Sequence, residues 1–547
     1  MPTLLFFAVP LPLLGALALL AMPRADHKRA RSLALLTALL TLGAAALLCL
    51  NFKAGPTTPQ FTLGPKGGPY GFSWIGLPGG PGIRYALGLD GISVGLFALT
   101  ALLTITAIFS SWESVTEKAP AHYALILMLE TGLLGLFSSL DVILFYLFFE
   151  FTLIPLFFLI GIYGGSERRR AAVYFFLYTL AGSLLTLLGA VLLVFIHRQH
   201  SADHVLTFSI PELTAGLAEI DWAPWRSTAG LTWTSPQVLV FLLLFAGFAV
   251  KVPLFPFHTW LPLAHVEAPT AGSILLAGVL LKVGTYGLLR FNMGMTPNGA
   301  MWLFPLLATL SVVGILYGAL AALAQSDAKK LVAYSSVSHM GFIALGIFSM
   351  TPTGMEGATV QMLNHGLTTG ALFASVGIFY ERYHTREMDK LGGLWERLPL
   401  LAFFLIVASL GSAAVPGLNG FVGEFPILLG AFDRSRRAGV FAALGMVLGA
   451  YYLLLMLQKV VFGPLKEPHE QGHDHGPIRP FGAHEVAGLM PLIVLIFAIG
   501  IYPKPVIDAI KPSVDAIAVR FPQPTDDATM TAAKPGLPDT LAHEPRR

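Results

Sequence analysis

Runs of about twenty apolar residues recur along this chain from one end to the other, and that recurrence constrains its fold more than any single motif does. A bilayer core about 30 Å thick is crossed by about 20 apolar residues in helix, and only helices or closed barrels satisfy their backbone groups there. Windows of that size give fourteen segments, near residues 3–22, 31–50, 87–111, 121–139, 141–162, 171–196, 236–264, 271–292, 301–324, 330–350, 359–380, 398–432, 438–462 and 485–503. They predict an all-α polytopic membrane protein with about 14 transmembrane helices. The 547 residues are 55% hydrophobic and 12% charged, and that balance excludes a row of soluble domains.

The charge of +3 is spread along the chain and forms no basic face for nucleic acid. Cys49 is the only cysteine, so an internal disulfide, a cysteine-held zinc and an iron–sulfur cluster bound by this chain alone are all excluded. The first segment lacks a basic leader and a small-residue cleavage site, and is read as a retained helix. Lys and Arg concentrate in the loops after odd-numbered segments, as at Arg168, Arg169, Arg170, Lys329 and Lys330. Both termini are therefore expected on the non-cytoplasmic side. Composition marks 504–547 as a disordered tail. His469, His473 and His475 in 468–476 could bind a metal by residue type, but a mobile hydrophilic loop is the plainer reading and no metal site is expected.

The informative residues are those that hydrocarbon should reject. Glu150 lies in the middle of the fifth segment. Lys251 lies in the seventh, where Pro253 and Pro256 remove backbone donors and predict a broken helix. Lys282 lies halfway along the eighth. Glu424 lies in the twelfth, interrupted by Pro416, Gly417, Asn419 and Gly420. Transporters place ion sites at such breaks, where half-helix ends meet charge. His258, His339 and His365 add imidazoles, which accept on one nitrogen while donating from the other. As a set these groups suit a proton relay, although a buried ion pair that merely fixes packing is the plainer reading of any one of them. Glu130 and Asp90 are auxiliary candidates. Broken segments seven and twelve are five apart, which suggests two inverted five-helix repeats, helices 4–8 and 9–13. The division expected is 1–111 for helices 1–3, 121–292 and 301–462 for the two halves, 485–503 for helix 14, and then the tail.

Six stretches occur together in order: FYLFFEFTLIPLFFLIGIYGG, FAVKVPLFPFHTWLPLAHVEAPTAGS, LLKVGTYGLLRF, DAKKLVAYSSVSHMGF, LNHGLTTGALF and GFVGEF. With them, roughly residues 85–465 resemble the antiporter-like membrane subunits of proton-pumping NADH:quinone oxidoreductase, respiratory complex I. The likeness is to the M-type branch (chain 4 in mitochondria), because Glu424 stands where the L and N subunits carry a lysine.

The resemblance implies that Glu150 pairs with Lys251 and tunes it, that Lys282 continues the path, that His258, His339 and His365 lie in or beside a hydrated axis, and that Glu424 is the terminal group. It implies no redox cofactor in this chain, with FMN, iron–sulfur clusters and quinone elsewhere in the assembled complex. L-, N- and K-like subunits, the peripheral NADH-oxidising arm and membrane lipid are the implied partners, and the bacterial cytoplasmic membrane the implied location. The D-like part of a multisubunit Na+/H+ antiporter, the membrane arm of a proton-pumping hydrogenase and a solute carrier are the competing readings.

Overall fold

The computed structural model describes residues 1–23, 26–64, 70–77, 80–201, 204–220, 226–227, 230–231, 235–467 and 479–523. The histidines of 468–476 and the chain beyond 523 lie outside them.

Helices fall on all fourteen apolar windows. In chain order they are α1 (Pro2–Leu20, interrupted near Pro10), α2 (His27–Asn51), α3 (Ser93–Ser110), α4 (Ala119–Ser138), α5 (Val142–Tyr163) and α6 (Arg168–His200). Next come α7a (Pro236–Lys251), α7b (Trp260–Glu267), α8 (Thr270–Met293), α9 (Pro297–Leu323), α10 (Ala328–Phe348) and α11 (Pro352–Tyr383). The series ends with α12a (Pro399–Ser412), α12b (Asn419–Arg434), α13 (Arg436–Val460), α14 (Ala483–Ile501) and α15 (Lys504–Ala518). Eleven helices among the described residues are long and apolar enough to cross a membrane. The windows at 236–264, 359–380 and 398–432 fall short by that measure. The first and third are filled by two shorter helices each, and α11 is long but carries Gln361, Asn364, His365 and Thr368.

Helix starts are written in the sequence as side chains that occupy orphan backbone donors. Asp26 accepts from the amide of Arg29, Asp141 from Ile143 and Leu144, Asp327 from Lys330, Thr351 from Gly354 and Ser435 from Ala438.

Two features depart from the sequence reading. Within 51–86 a short antiparallel hairpin forms, β1 (Phe72–Leu77) against β2 (Gly80–Tyr85), so the chain is not wholly helical. The hairpin is tied down by the backbone amide of Arg84, which donates to Asp141 Oδ2 at 3.0 Å. The stretch read as a disordered tail begins with α15, an amphipathic helix that buries Ile510, Val514 and Ile517. Its few apolar residues are spaced three and four apart, which supports a helix that average composition hides. Ser513 Oγ on that face accepts from the amide of Gly91 at 3.2 Å, and Lys511 pairs with Glu356 of α11 at 3.7 Å.

Burial sorts the bundle into an inside and an outside. The spanning window of α8 is buried along its whole length, and that of α10 is 94% buried, whereas α2, α13 and α14 turn leucines and valines outward. Polar groups on α8, α10 and α11 are thereby kept out of lipid. At one end of α11, Arg382 donates from both terminal nitrogens to Glu485, at 2.9 and 2.7 Å, with both side chains 5% exposed or less. Arg382→Ala would strand a buried carboxylate, at a cost of roughly 3–5 kcal/mol. A thermal melt of the purified variant in detergent should show a marked loss of stability.

Candidate functional site

α8 does not run as a regular α-helix around its lysine. Leu276–Leu280 and Leu288–Met293 are π-helical, and the α-helical stretch Leu281–Gly287 between them carries Lys282. Widened turns of this kind recur at functional sites because they displace side chains from their regular positions. Here the fully buried amino group of Lys282 donates to the carbonyl of Ala277 at 2.5 Å and to His365 Nδ1 on α11 at 2.7 Å.

From that pair a row of titratable groups continues across the bundle. The rings of His365 and His339 on α10 have centroids 5.6 Å apart. His339 Nδ1 is 2.8 Å from Glu424 Oε1 on α12b, and its Nε2 is 3.1 Å from Ser412 Oγ at the end of α12a. The Tyr452 hydroxyl of α13 reaches the same nitrogen at 3.4 Å. Glu424 Oε1 also accepts from Gln361 Nε2 at 3.0 Å. Four helices thus supply four groups in a row, hydrogen-bonded at both ends and joined in the middle by the ring contact of the two histidines, all of them 4% exposed or less.

The break between α12a and α12b holds the far end of the row in place. Asn419, first residue of α12b, donates to the carbonyl of Asn364 at 3.3 Å, and Asn364 donates to the carbonyl of Asn419 at 2.7 Å. This reciprocal amide pair locks α12b onto α11. One turn along, Gly423 allows the approach, because a Cβ there would collide with Gln361 Oε1. Gly423→Ala should push Gln361 off Glu424, an overpacking cost of about 1–3 kcal/mol. It should impair proton transfer while leaving every titratable side chain in the sequence, and a proton-uptake assay on the assembled complex would register it.

The remaining candidates stand apart from the row. Lys251 closes α7a, 1% exposed, and its amino group has no hydrogen-bond partner among the described residues. It lies over the Phe149 and Phe175 rings, 5.0 and 5.8 Å from their centroids. Glu150 acts on it electrostatically, but no direct ion pair joins the two among the described residues. Glu150 instead engages Tyr146, four residues back on the same face of α5. The break after Lys251 is closed by Trp260, whose indole donates to the carbonyl of Val250 at 2.9 Å. His258 lies in that break between Phe255 and Tyr317, with ring centroids 5.6 and 4.9 Å away.

Glu130 is fully buried on α4 with neither carboxylate oxygen hydrogen-bonded among the described residues. Asp90 is paired with Arg290 of α8, an ion pair that joins the start of α3 to the end of α8.

Sequence reasoning passed over Gln361, Asn364, Ser412 and Tyr452, which orient the row, and read Asn419 only as part of the interruption of the twelfth segment. Their types are ordinary in helices, and only the position of Asn364 directly before His365 offered a signal.

A family model described as "NADH:quinone oxidoreductase/Mrp antiporter, TM" matches residues 139–449, a span that holds every group of the row. The NADH-quinone oxidoreductase subunit M of Rhodobacter capsulatus is 41% identical over 518 residues, which cover 94% of this chain and 96% of that one. The NADH-ubiquinone oxidoreductase chain 4 of Chondrus crispus is 39% identical over 494 residues, covering 90% and 93%. Among solved structures, a chain of respiratory complex I from Thermus thermophilus with bound NADH superposes with a TM-score of 0.79 at 33% identity, over 94% of this chain and 99% of that one. A chain of the Mrp complex from Dietzia sp. DQ12-45-1b gives a TM-score of 0.78 at 21% identity over 94% and 97%, a likeness of fold alone. With its buried lysine, histidines and glutamate inside the matched span, the chain belongs to the NADH:quinone oxidoreductase/Mrp antiporter family of membrane subunits, among the M subunits and chains 4.

Proposed function

We propose that this chain is a proton-translocating membrane subunit of NADH:quinone oxidoreductase, in which NADH oxidation and quinone reduction take place in other subunits. The observation that carries the reading is the contact row from Lys282 through His365 and His339 to Glu424. A lysine bonded to an imidazole nitrogen at 2.7 Å is at proton-transfer distance. Each imidazole takes a proton on one nitrogen and gives one from the other, and the carboxylate of Glu424 receives what His339 releases.

Lys251 and Glu150 act on this row by charge: when Glu150 moves or is neutralised, Lys251 loses a favourable interaction and gives up its proton more readily. Moving one charge against 100 mV costs about 2.3 kcal/mol, and one pKa unit is about 1.4 kcal/mol, so modest changes in pairing suffice.

In this reading the chain crosses the membrane fourteen times, with both termini on the non-cytoplasmic side of a bacterial cytoplasmic membrane. Helices 4–8 and 9–13 form two inverted repeats, in keeping with the breaks in the seventh and twelfth. L-, N- and K-like subunits flank it, and FMN, iron–sulfur clusters and the quinone site lie outside it.

A tagged chain purified from its native membrane in mild detergent should bring down NADH:quinone activity together with flavin and iron–sulfur signals. Recovery with no redox centre but with NADH-independent Na+/H+ exchange would replace this reading with the antiporter one.

A further inference from the structure

The row that ends at Glu424 begins at Lys282 in the interior. A cavity of about 460 Å³ opens where the α5–α6 and α7b–α8 turns meet the start of α10 and the last third of α11, lined in part by Glu267, Ala268, Thr270, Lys329, Gly377 and Arg386. Under the orientation proposed above, this is the cytoplasmic end. Lys329, second residue of α10, is 7% exposed, and its amino group donates to the carbonyls of Ala268 at 2.6 Å and Val266 at 3.4 Å. Arg386 shares the Val266 carbonyl at 3.1 Å and pairs with Asp327 at 3.4 Å, while the Glu267 carboxylate accepts from the amide of Glu167 at 2.8 Å.

Directly before the cavity-lining residues comes His265, which is fully buried. Neither of its ring nitrogens has a hydrogen-bond partner among the described residues. Leaving such groups unpaired in the interior is unfavourable. It stacks on Phe373 with centroids 4.7 Å apart. Phe373 is eight residues along α11 from His365, a rise of about 12 Å, and His365 Nε2 is likewise unpartnered among the described residues. His265 is in electrostatic reach of Lys329, Lys282 and His365.

We propose that Lys329 is the inlet of the relay, taking protons from the cytoplasmic cavity and delivering them through His265 to the Lys282–His365 pair. This rests on the proton-relay reading of the row. In each cycle one N–H bond of Lys329 breaks and one forms on His265, with water from the cavity carrying the proton between them, since no direct hydrogen bond joins the two groups among the described residues. The neutral lysine regains its proton from cavity water, and His265 returns to neutral as it passes its own inward. One proton moves and no electron does.

The test is Lys329→Arg in the assembled oxidoreductase, reconstituted in vesicles, with proton uptake read alongside NADH:quinone turnover. Arginine keeps the cation and can bond the same carbonyls but does not deprotonate. The expected result is a drop in coupled pumping of about 100-fold, the scale of losing a positioned proton donor. Wild-type pumping by Lys329→Arg would overturn the proposal, and failure of Lys329→Met beside it would mark a purely structural lysine.

If Lys329→Arg does not assemble, His265→Phe decides, since it keeps the ring stack and gives up no hydrogen bond among the described residues. Loss of pumping supports the inlet, and normal pumping overturns it. Lys282→Met separates the two levels. A Lys282→Met complex that pumps normally sinks the relay itself, whereas its failure beside an intact Lys329→Arg complex sinks only the inlet.

Discussion

Lys251→Ala in the assembled oxidoreductase should abolish or greatly reduce quinone-coupled proton pumping, although Lys251 touches no member of the row. Its amino group is buried with no hydrogen-bond partner among the described residues and has two aromatic faces as its nearest company. A cation–π contact offsets about 2 kcal/mol when desolvated, well short of what burying an ammonium group costs. Its charge is therefore poised, and the proton affinity of the lysine rests on how near Glu150 stands. Alanine removes that poised charge outright, while a cavity in this wall of phenylalanines costs about 2–5 kcal/mol. Lys251→Met, which fills the space, separates the two effects. Both variants should lose pumping, while NADH oxidation with an artificial electron acceptor stays near wild type and reports assembly. A stably assembled Lys251→Met complex that pumps fully would remove Lys251 from the mechanism.

Glu424→Gln should be nearly as severe, for a different reason. The amide has the size of the carboxyl and can still receive the hydrogen bond from Gln361, but it takes up no proton from His339. Pumping should fall by about 100-fold with little change in thermal stability. Glu424→Asp, which keeps a carboxylate on a shorter stem, should recover part of it. Equal pumping by wild type and Glu424→Gln would mean that protons leave the row before α12b. A lysine at this position is the informative third variant, because it restores a titratable group of opposite charge.

How much of this was legible beforehand follows from where the physics is local. Apolar length, the prolines beside Lys251 and the Pro-Gly run before Glu424 act within one segment, so the helices and both breaks could be read from spacing. The meeting of Lys282 with His365, and of His339 with Glu424, depends on packing between α8, α10, α11 and α12b, about which no single segment carries information. Resemblance to a known family proposed which residues act together but said nothing of their contacts. It implied a Glu150–Lys251 pair, whereas no direct ion pair joins the two among the described residues, and it set His258 in or beside the axis without indicating that the imidazole packs against Phe255 and Tyr317. Lys329 was read only as a loop charge that fixes orientation, because a lysine next to Asp327 and Lys330 looks solvated until the turn after α7b closes over it.

The crossed amides of Asn364 and Asn419 have a mechanical consequence. For α12b to slide past α11, both bonds must break together, at about 1 kcal/mol each, and Gly423 would have to climb over the Gln361 side chain. This seam acts as a stator, holding Glu424 in register with His339; in the relay proposed above, the working stroke is then a change of field across a fixed frame and not the travel of a piston.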